Sequence, residues 1–208
     1  ILLRGIKMIP DSFKKYIFYE RRAMIEKMAR GEIKEDNDVY LWFTRALPAI
    51  VTNGPAGLNA SIKMVGFVLK ENYLDDTINK LHEIASEKRN MRDILQFLLN
   101  YVYNENKIDF GKLATLDLAR KRTWQNLRNG GEAILIFYTP PDTSYMIIAD
   151  TEVHLEGSKS FEYVNALHDI FHVAPTAGRI VGRHPTYIFK IREIWDKSVT
   201  AFGKKIYP

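Results

Sequence analysis

The sequence predicts an α+β fold that is mainly β. Several segments are rich in the β-branched and aromatic residues of strands, and they alternate with segments whose apolar residues recur at helical spacing. The predicted strands cover residues 47–52, 58–69, 107–118, 133–138, 144–155 and 186–195. The predicted helices cover residues 11–30, 38–46, 74–103, 120–128 and 160–172. With 208 residues, 46% of them hydrophobic, the chain is long enough for one large or two small domains with a buried core.

The helical segments have recognisable ends. Asp11-Ser12 is a typical helix start, and Arg30-Gly31 is a typical stop, so one amphipathic helix is expected between them. The long segment 74–103 has two apolar stripes separated by the polar residues 87–90. This pattern predicts two packed helices rather than one.

Turn signals divide the strand segments. The run Asn53-Gly54-Pro55-Ala56-Gly57 predicts a tight turn, and the segments on its two sides are expected to form a β-hairpin. The second of these, 58–69, is predicted as one strand with Gly66 as a bulge. The continuous apolar run 133–138 predicts a buried strand.

Composition excludes several classes of function. The chain has no cysteine, which rules out disulfides, thiolate metal sites and cysteine nucleophiles. No run of eighteen apolar residues is present, and the first ten residues are interrupted by Arg4 and Lys7, so we expect no membrane span or signal peptide and a cytoplasmic protein. The net charge of +5 favours anionic partners without choosing among nucleic acid, nucleotides and membrane surfaces.

One polar segment stands out between two apolar strand patterns. Residues 120–127, with the sequence Arg-Lys-Arg-Thr-Trp-Gln-Asn-Leu, place cations, a hydroxyl and an amide on a short predicted helix. Arginine and threonine side chains provide directed donors, and a helix start contributes unpaired N–H groups, so the segment is suited to holding a phosphate. Alone, the pattern also fits an ordinary solvent-exposed helix.

The order of the elements adds a family resemblance. It rests on Ala49-Ile50-Val51-Thr52-Asn53-Gly54 followed by Leu58-Asn59-Ala60-Ser61, then Arg122-Thr123-Trp124-Gln125-Asn126-Leu127, the strand 133–137, and Pro185-Thr186-Tyr187-Ile188-Phe189-Lys190. Over residues 45–197 the chain resembles the pyridoxamine 5′-phosphate oxidase-like and flavin reductase-like superfamily. The resemblance implies a split β-barrel over 45–208, preceded by a helical segment over 1–44. It also marks the helical pair at about 74–103 as an insertion.

The same resemblance implies a flavin site. The FMN phosphate is expected on polar side chains of the second strand and of the short helix after the third, with the flavin ring at a homodimer interface. The residues carried over by position are Asn59, Ser61, Lys121, Arg122, Thr123 and Asn126. The implied function is a flavin-dependent oxidoreductase acting on a small-molecule substrate. No catalytic acid or base is assigned, and FMN is not distinguished from deazaflavin.

Other functions stay open at this point. The same barrel is compatible with a non-enzymatic module that binds nucleic acid, through basic residues and Trp124, or heme, and the helices are compatible with an interaction surface. The heme ligands would come from His154, His168, His172 or His184. His168 and His172 have the spacing of a metal-binding pair, yet no third ligand accompanies them, so no metal site is assigned. The motifs of Ser hydrolases, P-loops and dinucleotide-binding folds are absent from the sequence.

Overall fold

A computed structural model describes residues 8–33, 43–87, 90–171 and 183–208. The first helix, α1, covers residues 11–29 and consists of α-helical Asp11–Lys14, a π-helical stretch Lys15–Tyr19 and α-helical Glu20–Ala29. The others are α2 (Leu74–Ser86), α3 (Met91–Phe97, continued by a π-helical stretch Leu98–Val102), α4 (Arg122–Leu127) and α5 (Lys159–Asp169). Short 3-10 turns cover Glu71–Tyr73 and Glu105–Lys107.

The strands form one antiparallel sheet of eight members. They are β1 (Ala49–Thr52), β2 (Asn59–Ile62), β3 (Gly66–Leu69), β4 (Ile108–Leu116), β5 (Gly131–Thr139), β6 (Thr143–His154), β7 (Thr186–Asp196) and β8 (Lys204–Tyr207). Their order in the sheet is β2-β1-β5-β6-β7-β4-β3, with β8 added to β7. The sheet is not closed, and its combination with helices confirms the predicted α+β class and is consistent with a split β-barrel.

The connection between β2 and β3 requires the sheet to roll up. These strands are the two ends of the order, yet only residues 63–65 join them. In a flat sheet of seven strands the edge strands would lie about 29 Å apart. The chain from Ile62 to Gly66 can span only about 14 Å. The two edges must therefore approach each other, as the two sides of a split barrel do.

This crossing corrects the prediction of a single strand over 58–69. Gly66 is not a bulge but the first residue of β3, and the chain changes from one sheet edge to the other at Lys63-Met64-Val65. The crossing is held by two hydrogen bonds, from Val65 N to the Ala46 carbonyl at 2.8 Å and from Thr115 Oγ1 to the Met64 carbonyl at 2.6 Å. The predicted β1–β2 hairpin is confirmed.

The other predicted elements are confirmed with small shifts at their ends, and β8 was missed. The predicted helix 38–46 lies mostly outside the described residues. The run 133–138 is a strand, but only alternate residues are buried: Ala133, Leu135 and Phe137 face the core, whereas 41% of Ile136 and 58% of Tyr138 are exposed. The segment is therefore a half-buried strand whose outer side is apolar, and the prediction of a fully buried strand was wrong.

Helix α1 packs into the same hydrophobic core as the sheet. The Phe13 ring is fully buried and meets Phe67, Phe137 and Tyr145 edge-on, with ring centroids 5.4–6.3 Å apart. The Tyr16 hydroxyl is 2.9 Å from Thr139 Oγ1 at the end of β5. The N-terminal helix is thus part of the barrel's interior packing. Within the described part of the chain, every helix is too short or too polar to span a lipid bilayer.

We expect Phe13→Ala to lower the free energy of unfolding by about 3–5 kcal/mol, because it leaves a cavity among three aromatic rings. Phe202→Ala is the matched control, since 92% of Phe202 is exposed, and its effect is expected to stay within about 0.5 kcal/mol. Urea denaturation measures both. Equal effects of the two substitutions would show that α1 does not anchor the core.

Candidate functional site

The predicted site residues meet where the β1–β2 hairpin packs against α4. Asn59 and Ser61 lie on β2 opposite Thr52 and Ile50 of β1, so both side chains are on the side of the sheet that α4 covers. The polar residues of the second strand and of the short helix are therefore adjacent in space although they are more than sixty positions apart in the chain.

The centre of this arrangement is the Thr123 hydroxyl. It accepts a hydrogen bond from Asn59 Nδ2 at 3.0 Å, and Ser61 Oγ lies 3.0 Å away on the other side. Thr123 is buried, whereas Asn59 and Ser61 are half-buried. The three side chains carry four donor hydrogens, of which two are used among themselves, so two remain within the described residues. We call Asn59, Ser61 and Thr123 the polar cluster.

The two predicted cations directly precede Thr123 in the chain. Arg122 is exposed, and its Nη2 donates to the carbonyl oxygens of Ala56 at 2.7 Å and Leu58 at 3.1 Å. These bonds fix the guanidinium beside the hairpin and leave Nη1 and Nε without a protein partner among the described residues. Lys121 precedes α4 and is also exposed.

Asn126 has a different environment from the other predicted donors. Its Nδ2 donates to Thr52 Oγ1 at 3.1 Å and to the Gly57 carbonyl at 2.8 Å, and its Oδ1 accepts from Ala56 N at 2.8 Å. Both amide hydrogens are used in holding the turn. The turn also approaches α4 closely, since a Cβ at Gly54 would lie 3.1 Å from the Asn126 Cα. Asn126 thus fixes the hairpin against the helix.

A buried carboxylate that the sequence did not single out organises the approach to α4. Asp117, 1% exposed, accepts hydrogen bonds on Oδ1 from Arg120 N at 2.7 Å and from Ala119 N at 3.2 Å. Its Oδ2 accepts from the Tyr187 hydroxyl at 2.6 Å and lies 3.7 Å from Lys63 Nζ. Arg120 has a φ of +46°, a left-handed conformation that non-glycine residues rarely adopt, and the two bonds to Asp117 stabilise it.

Two of the predicted histidines, His168 and His184, lie close together in the described part of the chain, whereas His154 is beside a carboxylate. His154 Nε2 lies 3.6 Å from Glu152 Oε2, and the rings of His168 and His184 have centroids 6.4 Å apart. His172 lies outside the described residues, so the predicted His168–His172 pair is not tested. Among the residues that the structure describes, no three His, Cys, Asp or Glu side chains are grouped to hold a metal ion.

Trp124 of α4 is half-buried and packs against the core. The Arg120 guanidinium lies 5.8 Å from its ring. Trp124 therefore faces the protein and a cation rather than standing open as a stacking platform.

The outer side of the sheet next to the site carries an apolar surface. The register places Ile62 beside Ala49, Ala49 beside Ile136, and Ile136 beside Met146. Ile62 is 64% exposed and Ile136 41%. These four residues form a row across β2, β1, β5 and β6, which we call the apolar row. Contiguous apolar patches on a surface mark interaction sites.

The hydrogen bond between Tyr187 and Asp117 is expected to contribute to the free energy of unfolding. Burial raises the pKa of the Tyr187 hydroxyl, and its hydrogen bond to the Asp117 carboxylate raises this pKa further. We expect Tyr187→Phe to cost about 1.5–3 kcal/mol of unfolding free energy at pH 7, since a buried carboxylate loses a donor.

A pH series tests the cause. The folded-state pKa of Tyr187 lies above its unfolded value of about 10. The higher unfolding free energy of the wild type relative to Tyr187→Phe is therefore fully present below pH 10 and is lost as the pH rises beyond it. Tyr207→Phe, near the C-terminus, is the control. A difference between wild type and Tyr187→Phe that does not shrink above pH 10 would contradict this account.

Comparison of the sequence with known protein families and with curated proteins gave no match. The structure is similar to several solved structures. One is the HupZ protein of Group A Streptococcus, with 12% identity, 84% of this chain and 99% of that chain covered, and a TM-score of 0.46. A second is a protein from Clostridium acetobutylicum related to general stress protein 26 of B. subtilis, of the pyridoxinephosphate oxidase family (12% identity, 81% and 89% covered, TM-score 0.43). A third is an FMN-binding protein from Syntrophomonas wolfei (13% identity, 87% and 96% covered, TM-score 0.42).

Proposed function

We propose that the protein binds FMN, with the flavin phosphate at the polar cluster, and acts as a homodimeric flavin-dependent oxidoreductase on a small-molecule substrate. The observation that carries the proposal is the convergence of Asn59, Ser61 and Thr123 beside an exposed arginine. This is the residue set that the sequence resemblance implies for a flavin phosphate.

The donor chemistry of the polar cluster fits a phosphate. A phosphate dianion is bound by several directed donors, of which charged ones are the strongest. The cluster retains two donor hydrogens, the Arg122 guanidinium retains Nη1 and Nε, and Lys121 adds a mobile positive charge nearby. Asn126 has a positioning role in this proposal, because its amide already holds the turn that carries Arg122's carbonyl partners.

The apolar row supports a second copy of the chain as partner. A twofold interface brings the same patch of each subunit together, so an apolar row on the outer side of the strands that carry the site is suited to self-association. Burying this row would remove its apolar surface from water. Bound flavin would supply the redox chemistry, and this chain would supply phosphate anchoring and a water-poor surface.

The charge distribution favours a small phosphate ligand over nucleic acid. Several basic side chains on the outer strands are paired with acids: Arg192 contacts Glu132 and Asp150, and Lys205 lies 3.0 Å from Glu193. Paired cations contribute less to a continuous positive surface of the kind that binds a nucleic-acid backbone. The exposed cations next to the polar cluster are confined to a short stretch.

Titration with FMN and with riboflavin, which lacks the phosphate, tests the anchor. Quenching of flavin fluorescence measures both affinities. We expect Thr123→Val and Arg122→Ala to weaken FMN binding by about 1–3 kcal/mol each, since each removes donors to a charged group. Riboflavin binding is expected to stay unchanged in both variants.

Arg128→Ala is the matched control, because Arg128 is an exposed arginine at the other end of α4. It is expected to leave both affinities unchanged. If wild-type protein binds neither flavin, or if the affinities for FMN and riboflavin fall equally in the two variants, the polar cluster does not hold the phosphate.

Ile136→Lys tests the dimer. A lysine in the apolar row places a charge at the centre of the proposed interface, so we expect a shift from dimer to monomer in light scattering. Val199→Lys, at a position that is 68% exposed and lies outside the sheet, is expected to leave the mass unchanged. A monomeric wild type would contradict the proposal.

A further inference from the structure

A large cavity lies between the barrel and the helices packed on it. Its volume is about 650 Å³, within the range of small-molecule sites. Side chains from three helices and the sheet form its wall, and most are apolar. Representative residues are Ile17, Ile25, Leu95, Leu98, Leu116 and Val164. Helix α3 of the helical pair thus contributes one side of the cavity wall.

Among the described residues, Arg21 is a cation in this wall without a carboxylate partner. The side chain is half-buried, and its Nε is buried with no hydrogen-bond partner among the described residues. Its Nη2 lies 3.7 Å from the Met64 sulfur in an exposed position, and its guanidinium carbon lies 5.7 Å from the Phe43 ring and 5.9 Å from the Tyr103 ring. Aromatic faces stabilise a guanidinium but leave its donors unsatisfied.

In the part of the chain that the structure describes, no neighbouring carboxylate is paired with Arg21. The adjacent carboxylate, Glu20, is paired with Arg45. The wall also contains Lys63 and His168, and each lies near a carboxylate of its own. Lys63 Nζ is 3.7 Å from Asp117, and His168 Nδ1 is 3.5 Å from Asp169. No Asp or Glu is among the described residues that line the cavity. The cavity is therefore apolar with an excess of positive charge at Arg21.

An unpaired buried donor in an apolar cavity is costly unless a ligand satisfies it. The ligand that fits has one anionic head group and an otherwise apolar body. A nucleotide or flavin in the same space would leave most of its own polar atoms without partners. At about 30 Å³ per non-hydrogen atom, the volume corresponds to roughly 20 such atoms.

We propose that this cavity binds a long-chain fatty acid, with the alkyl chain against the apolar wall and the carboxylate on the Arg21 guanidinium. The planar guanidinium can donate two parallel hydrogen bonds to a carboxylate, and the aromatic rings of Phe43 and Tyr103 hold it in place. The inference does not rest on flavin binding, because the polar cluster contributes no residue to the cavity wall.

Calorimetric titration of delipidated full-length protein with palmitate and with hexadecanol tests the proposal. The two probes share a sixteen-carbon chain and differ in the head group. We expect saturable palmitate binding with one molecule per chain, and binding of hexadecanol that is about 10- to 100-fold weaker, because the alcohol lacks the charge that Arg21 would pair with.

We expect Arg21→Met to weaken palmitate binding to the affinity of hexadecanol, so that the variant no longer distinguishes the two probes. Arg22→Met is the matched control, because the neighbouring Arg22 is bound to Glu26 on α1 and does not line the cavity. It should leave both affinities unchanged. The proposal is overturned if palmitate does not bind saturably, if wild-type protein binds the two probes equally, or if Arg21→Met binds palmitate as wild type does. The wild-type comparison decides the matter if Arg21→Met fails to fold.

Discussion

The three-residue crossing from β2 to β3 is the constraint on which the rest of the structure depends. Because residues 63–65 must join opposite ends of the sheet order, the sheet has to curl until its edges approach each other. The curl brings the end of β2 close to the segment after β4, where Asp117 contacts both Lys63 and Tyr187. The same closure places the short helix α4 over β2, and so it brings Thr123 to Asn59.

The helices use the space that the open barrel leaves. Aromatic side chains of α1 fill one part of the interior, where Phe13 and Phe18 both contact Phe67. Farther along α1 the filling is incomplete, and a cavity remains against α3 and α5. Close packing and an internal cavity therefore coexist along one helix, and they adjoin at Phe18, which contacts Phe67 and also lines the cavity.

Much of the fold could be predicted because its elements have regular periodicity. Helix α1 and the long strands β5, β6 and β7 were found nearly at their observed ends, since each shows a sustained spacing of apolar residues. The break at Lys63-Met64-Val65 was missed because it contains neither glycine nor proline. Which side of β5 is buried could not be read from Ala133-Ile134-Leu135-Ile136, where every residue is apolar.

The candidate site was accessible to prediction only as a set of residue types. Sequence order suggested that Asn59, Ser61 and Thr123 belong together, whereas the use of both Asn126 amide hydrogens depends on how a turn folds over a helix. For a similar reason, Asp117 and Arg21 could not be recognised as site residues from the sequence. A carboxylate or a guanidinium acquires its role from neighbours that are distant in sequence, and nothing in the local pattern distinguishes either residue from a solvated charge.

The helices between β3 and β4 leave the sheet and return to it at one point of the ladder. The chain departs after Leu69 and returns at Ile108, and these two residues are direct partners in the β3–β4 ladder. The whole insert therefore closes across a single inter-strand spacing of about 5 Å. A tight hairpin loop could occupy the same position without changing any strand register. The β3–β4 register is thus set by the two strands themselves, and the helices between them occupy the position of a hairpin loop.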